Sequence, residues 1–388
     1  MIENDRVLAN EISRVVLEHF NGLKIKSGKP IVRSNGKKEW TVLASMVALF
    51  ENAQGQVECI TPITITTGVK TLPDEWRIFS KGMIVHDLHA EILSFRLFNW
   101  FLIDECTLVD QAECKDASRY VALTYDEHGN RYFSIKPGIK FALFTTEPPC
   151  GDLSMRSVSD GVEDNSAWEY EIKKNGMAAS STRGRAHFDR LGIVRTKPGR
   201  GDSILSLSKS CSDKICMKQL TGLCNAITAN LFPNNIFLSY LVIKDKCVDE
   251  TDVKRCFESR FECKIESKTL RPISILWYDE DTYEYHRSKD AIASQLSILY
   301  LVPNKTVQIL NNGVRNGTFV KKKTPSSSAS ALISNRNLYS KACPLLDSHA
   351  RSYQELKTSN YTRESLKKLG RDVLGNWLPT SKDDFEFV

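Results

Sequence analysis

Three short fragments of the chain carry side chains that could do chemistry together. They are His89-Ala90-Glu91, Pro148-Pro149-Cys150-Gly151-Asp152 and Ser210-Cys211-Ser212-Asp213-Lys214. An imidazole and two thiolates are zinc ligands. Three protein ligands leave one tetrahedral position for water, which is the catalytic rather than the structural arrangement. Zinc lowers the pKa of a bound water from about 15.7 to about 7. Glu91 would not ligate the metal. It would take the proton of the zinc-bound water and return it to a ring nitrogen and to the leaving ammonia. That is nucleobase deamination, whose signature opens with His-x-Glu. The usual second half, Pro-Cys-x-x-Cys, is absent, and the cysteine that follows Cys150 is Cys211. Each fragment alone also fits an ordinary buried residue; the three in this order and context point to one site.

Such ligands need elements to hold them. A thiolate at a helix N-terminus meets unsatisfied N–H groups and the positive end of the dipole, which lowers its pKa. Residues 210–213 precede a helix expected over 214–230, and Cys150 follows a strand expected over 139–146. His89 opens a strongly apolar helix expected over 88–103, too rich in large side chains to lie on a surface. An amphipathic helix is expected over 5–20, with Val7, Leu8, Ile12, Val15, Val16 and Phe20 at helical spacing. Strands are expected over 40–49, 57–67, 119–125 and 236–243, those at 119–125 and 139–146 paired or adjacent. A polar stretch fills 152–203, a flexible loop 324–331, and helices over 347–358 and 362–376 close the chain. This alternation predicts one α/β domain over residues 1–388.

The 388 residues include 53 Lys plus Arg and 47 Asp plus Glu, a net charge of +6. With 41% hydrophobic and 26% charged residues, disordered, collagen-like and coiled-coil classes are excluded. No apolar run is long enough to span a bilayer. The first residues are acidic and polar, unlike a secretory signal, so a cytoplasmic or nuclear location is expected. The 11 cysteines are odd in number and include no Cys-x-x-Cys pair, which argues against a disulfide framework, a zinc ribbon or a thioredoxin-type site. The charge is unevenly spread: Lys24, Lys26, Lys29, Arg33, Lys37 and Lys38 fall in a segment without acids, and Lys321, Lys322 and Lys323 form a second cluster. Both suit a polyanionic partner, and Lys24 to Lys38 is the expected RNA-backbone surface.

Together, the three fragments resemble the deaminase domain of adenosine deaminases acting on RNA and on tRNA, and the spread cysteines are distinctive of that family. The resemblance runs from the N-terminal helix to Trp377. It implies a cytidine-deaminase-like zinc fold, with a mixed central sheet flanked by helices and a C-terminal helical region around a buried polyphosphate. It further implies zinc on His89, Cys150 and Cys211, and inositol hexakisphosphate held by Arg96, Lys197, Lys214, Tyr353, Lys357 and Trp377. Tyr339, Lys341 and Arg315 match at altered spacing, and Asp87 and Lys214 would relay hydrogen bonds between cavity and metal. Phe95 stands where the RNA-editing relatives have an arginine, and Met217-Lys218 where they have Arg-Trp. Val69 and Lys70 are placed beside the target nucleoside, and Arg200 in the loop that in those relatives fills the gap left by the flipped base.

The pattern starts too early for a double-stranded-RNA-binding module to precede it, and this, with residues 28–46, favours the tRNA branch. The implied activity is conversion of adenosine to inosine in tRNA, at adenosine 37 beside the anticodon of tRNA-Ala. No obligate protein partner and no membrane are required. The alternatives are an editase of double-stranded or messenger RNA, an inactive RNA-binding homologue, and a free-nucleoside or cytidine deaminase.

Overall fold

The computed structural model describes residues 4–112, 117–159, 182–197, 203–262, 264–266 and 269–387. Its centre is a nine-stranded sheet. In chain order the strands are β1 (Leu43–Glu51), β2 (Val57–Pro62), β3 (Thr64–Thr67), β4 (Ile139–Thr145), β5 (Tyr240–Lys244), β6 (Ser274–Tyr278), β7 (Leu296–Leu301), β8 (Thr306–Asn311) and β9 (Val314–Arg315). Across the sheet they run β6-β5-β4-β1-β3-β7-β8-β9, with β2 paired to β1 beside β3. β4, β5 and β6 are parallel; all other neighbours are antiparallel. The sheet is mixed, as expected.

The sequence of β1 shows why the sheet is covered on both faces. Leu43, Val47 and Leu49 pack in one apolar cluster, while Ala44, Met46 and Ala48 pack in the other. Alternate side chains point to opposite faces, so a strand apolar in both phases must be buried twice. Helix α1 (Asp5–Gly22) covers the first face with Leu8, Ile12, Val16 and Phe20. Asn4 caps it, its side-chain oxygen accepting from the Arg6 N–H. Helix α2 (Ala90–Gln111) covers the second face with Leu93, Phe98, Phe101 and Leu102. Helices α3 (Cys211–Thr221), α4 (Asn335–Ala342), α5 (Tyr353–Ser359) and α6 (Tyr361–Leu374) extend that layer.

Several expectations change in detail. The strand expected over 57–67 is two, because Pro62 offers the ladder no N–H and Ile63 shifts its bond to Met46 O at 2.8 Å. The strand Val121–Tyr125 pairs with Arg131–Ile135 in a separate hairpin and does not neighbour β4. The apolar helix starts later and runs further, since residues Asp87–His89 are a strand. The helix expected over 214–230 starts at Cys211 and stops at Gly222, which takes φ +72° as C-cap. The loop expected over 324–331 contains a turn of 3-10 helix at Ser327–Ala329, and the buried Ser330 hydroxyl donates to Met83 O. Strands β6 to β9, helix α4 and the path of the last residues were not anticipated. The tail returns to the loop before Asp87. There Asp383 accepts from Ser80 Oγ and Gly82 N at 2.9 and 2.8 Å, and Phe385 stacks on Tyr353.

Candidate active site

The fold delivers the three expected ligands to one place. After β3 the chain turns at Gly68 into a short antiparallel pair, Val69–Thr71 with Asp87–His89, in which Val69 faces His89. His89 is then the N-cap residue of α2, and its side chain makes no capping bond. Cys150 follows the end of β4, and Cys211 is the first residue of α3. Gly151 has φ +107°, and a Cβ there would run into the Ser210 hydroxyl, so glycine lets the two cysteine segments meet. The closure is hydrogen-bonded: Ser212 N and Ser212 Oγ donate to Cys150 O at 3.0 and 3.1 Å. Cys211 N points at Cys150 Sγ at 3.4 Å, and Cys150 Sγ lies 3.7 Å from His89 Nδ1. The ligand atoms of His89, Cys150 and Cys211 all lie within 4.8 Å of one another.

The electrostatics suit a metal. A hydrogen bond from Cys211 holds the Cys150 thiol well below its usual pKa against burial, and His89 and Lys197 assist. Burial, with Cys150 as neighbour, pushes Cys211 up. One nitrogen and two sulfur donors, part-buried or buried, are the donor set of a tetrahedral zinc site. Glu91 is 2% exposed, and its Oε2 has no hydrogen-bond partner. Burial raises its pKa, opposed by His89. A buried carboxylate with an orphan oxygen beside three ligands is what a water held there would satisfy. The residues fit the ion.

Beneath the ligands runs a charged chain. Lys197, 2% exposed, donates to both oxygens of Asp87 at 2.9 and 2.8 Å and to Cys211 Sγ at 3.2 Å. Lys214 also bonds Asp87, and Ser208 Oγ donates to it at 3.1 Å. Burial opposes the Asp87 charge, yet Lys197 and Lys214 hold its carboxyl well below the usual range. Beyond Lys214 lie further cations. Burial, with Arg363, Lys214 and Arg96 as neighbours, lowers Lys218 to about 7. Burial, with Lys357, Arg363 and Arg371, lowers Lys367 to about 8. Arg363 has Nε and Nη1 buried without a hydrogen-bond partner. Glu364 meets Lys367 at 3.2 Å and Arg363 at 3.7 Å, but one carboxylate does not balance this group of cations, and a polyanion would relieve both the remaining repulsion and the orphan donors.

Most, but not all, of the expected polyphosphate residues meet there. Arg96, Lys214, Tyr353 and Lys357 are neighbours in this group. Lys197 instead faces Asp87 and the cysteines. Trp377 lies 5.8 Å from the Lys209 ammonium, which donates to Leu207 O and Leu378 O. Lys341 pairs with Asp104 over Trp100, Tyr339 stacks on Phe387, and Arg315 is exposed on β9. Sequence reading missed Lys209, Arg363 and Lys367. Phe95 and Lys218 turn out to be a pair, with the ammonium 4.7 Å from the ring centroid. Val69 and Lys70 border His89 and Leu88. Arg200 lies outside the described residues.

Comparison with known proteins agrees with this geometry. The model of the adenosine-deaminase (editase) domain matches residues 64–381, and the chain belongs to that family. Over its whole length the chain is 31% identical to tRNA-specific adenosine deaminase 1 of Schizosaccharomyces pombe, covering 99% of that protein. Its identity to tRNA-specific adenosine deaminase 1 of Saccharomyces cerevisiae is also 31%, over 97% of this chain and 94% of the relative. Similarity to the double-stranded RNA-specific editase B2 of mouse, at 25%, covers 61% of this chain and 30% of that protein.

Proposed function

We propose that the chain is a tRNA adenosine deaminase that forms inosine from adenosine and water and releases ammonia. The carrying observation is Glu91, buried with one oxygen unpartnered beside His89, Cys150 and Cys211. Zinc held by these three residues would supply a water that ionises near neutral pH. Glu91 accepts a proton from the attacking water and delivers it to purine N1, and its carboxyl then serves the departing amine. Its burial keeps its proton affinity high, which suits both tasks. Val69, packed against the His89 strand, gives the nucleoside an apolar wall. The full-length likeness to two yeast tRNA-specific deaminases favours tRNA over duplex RNA, and adenosine 37 of tRNA-Ala is the site we infer. The unbalanced cations around Lys218 and Arg363 support inositol hexakisphosphate as the buried counter-ion. The chain works as one editase unit in the cytoplasm or nucleus.

Inosine should form in tRNA-Ala at the nucleotide 3′ of the anticodon, and not in a long RNA duplex. The Glu91→Gln protein, folded and with full zinc content, should form none. Inosine from that variant, or only in the duplex, would overturn this reading.

A further inference from the structure

A surface rim tied to the elements that carry His89 and Cys150 is built from two segments far apart in sequence. One is the hairpin of residues 31–40, closed by Arg33 N to Lys37 O at 2.9 Å and Glu39 N to Ile31 O at 2.8 Å. The other is the loop of residues 281–295. They are zipped in parallel, with Glu39 beside Ile292 and Trp40 beside Ala293. Ser294 N donates to Trp40 O at 2.9 Å, and Thr41 N to Tyr285 O at 3.1 Å. Both segments are tied to the site. Gly68 N donates to Val42 O at 3.1 Å and Ala90 N to Gly68 O at 3.0 Å, which leads directly to His89. On the other side the His286 ring bridges two carboxylates, Glu147 at 2.9 Å and Asp281 at 2.7 Å. Glu147 immediately precedes Pro148-Pro149-Cys150, and these contacts hold His286 protonated, with a pKa raised to about 9. Lys244 also binds Asp281, at 2.8 Å, and the Tyr283 ring packs edge-on to the imidazole.

This fastened rim carries exposed cations. Arg33 is paired with Glu39. Lys37, Lys38, Arg287 and Lys289 are exposed, and among the described residues they have no ion pair. Two exposed acids, Glu284 and Asp290, share the loop. Arg287 lies 5.9 Å from the Trp40 ring, a platform on which a base could stack. Cations held on a rigid rim need little further ordering to meet phosphates.

We propose that this two-segment rim is a phosphate-binding platform for the tRNA backbone flanking the reactive nucleotide, and that His286 is the positioning residue that pins it to the catalytic loop. The proposal rests on the tRNA reading given above. It narrows the basic segment to Lys37 and Lys38 and adds Arg287 and Lys289, which charge runs along the sequence do not reveal.

The test measures binding of unmodified tRNA as salt is raised, in the zinc-loaded full chain. The variants are K37E/K38E, R287E/K289E, His286→Ala and, as control, Lys305→Glu on the β7–β8 turn at the opposite end of the sheet. Each double reversal is expected to weaken binding at least tenfold near 0.1 M salt and to reduce the log–log salt slope by about 1–2. His286→Ala should weaken binding with all four cations retained, and His286→Lys should restore part of it. Wild-type affinity in both double variants, or an equal loss in Lys305→Glu, would overturn the platform. The neutral pairs K37A/K38A and R287A/K289A serve if a reversal lowers the melting temperature. Should the wild-type protein bind through this rim yet form no inosine in tRNA, the platform stands and the proposed activity falls.

Discussion

Asp87 holds two ammonium groups, Lys197 and Lys214, where little water reaches them. Its folded-state pKa is depressed, so its contribution to stability is complete above the unfolded value of about 3.9 and is lost only as pH falls towards the folded value. Asp87→Asn removes that contribution at neutral pH and leaves the buried Lys197 facing the half-buried Lys214. It should destabilise the fold by about 3–5 kcal/mol, measured by denaturant unfolding at neutral pH. A cost near zero would mean that the lysines have another counter-charge. The cluster of His89, Cys150 and Cys211 with Glu91 was legible in the sequence because each fragment is local and chemically distinctive. Asp87 was reached only through the family resemblance. Lys209, Arg363 and Lys367 were not reached, because a lysine that becomes buried reads like one that stays in water. His286 was missed for a similar reason: its two carboxylate partners come from separate parts of the chain.

Helices α3 and α6 bring the lysine cluster together, and they do so at close range. A Cβ on Gly370 would stand 2.7 Å from Met217 Sδ and 3.0 Å from Leu220 Cδ1. Gly370→Leu should therefore force the helices apart and destabilise by about 1–3 kcal/mol, with weaker retention of inositol phosphate. The lysines facing this seam give a pH test. Lys218 and Lys367 have folded pKa values of about 7 and about 8, below the unfolded value of about 10.4. Without a polyanion, the unfolded chain binds more protons across that window, so stability should rise as pH climbs through it. With inositol hexakisphosphate the charged lysines gain a partner, and the rise in melting temperature on adding it should be larger at pH ~6.5 than at pH ~9.5. Equal shifts at the two pH values would place the ligand elsewhere. At this scale, α1 was legible because its apolar residues recur at helical spacing, and α2 because a long run of large apolar side chains marks a buried helix. Strands β7 and β8 were not, because an antiparallel hairpin at a sheet edge is specified by its distant neighbour β3. The two-strand reading of 119–125 with 139–146 failed because the intervening strand Arg131–Ile135 is short and only Phe133 is fully buried in it.

Across the whole molecule, the sheet brings His89, Cys150 and Cys211 together, and the C-terminal tail packs on the loop before Asp87. Asp383 lies 3.5 Å from His86 Nε2, and Phe385 stacks on Tyr353. Deleting residues 380–388 should lower the melting temperature and loosen both the loop before Asp87 and the packing of α5. The readout is a smaller rise in melting temperature on adding inositol hexakisphosphate, with α1 and the sheet still giving a cooperative transition. The three ligands themselves lie on separate elements, far apart along the chain. An unfolded polypeptide therefore offers an ion one donor at a time and gains no chelate effect. A metal held by such a set would not template the fold as zinc does in small domains whose ligands come in close pairs. It would enter a cage already assembled, so refolding without metal should proceed at the same rate as with it, and loading should follow as a separate, second-order event.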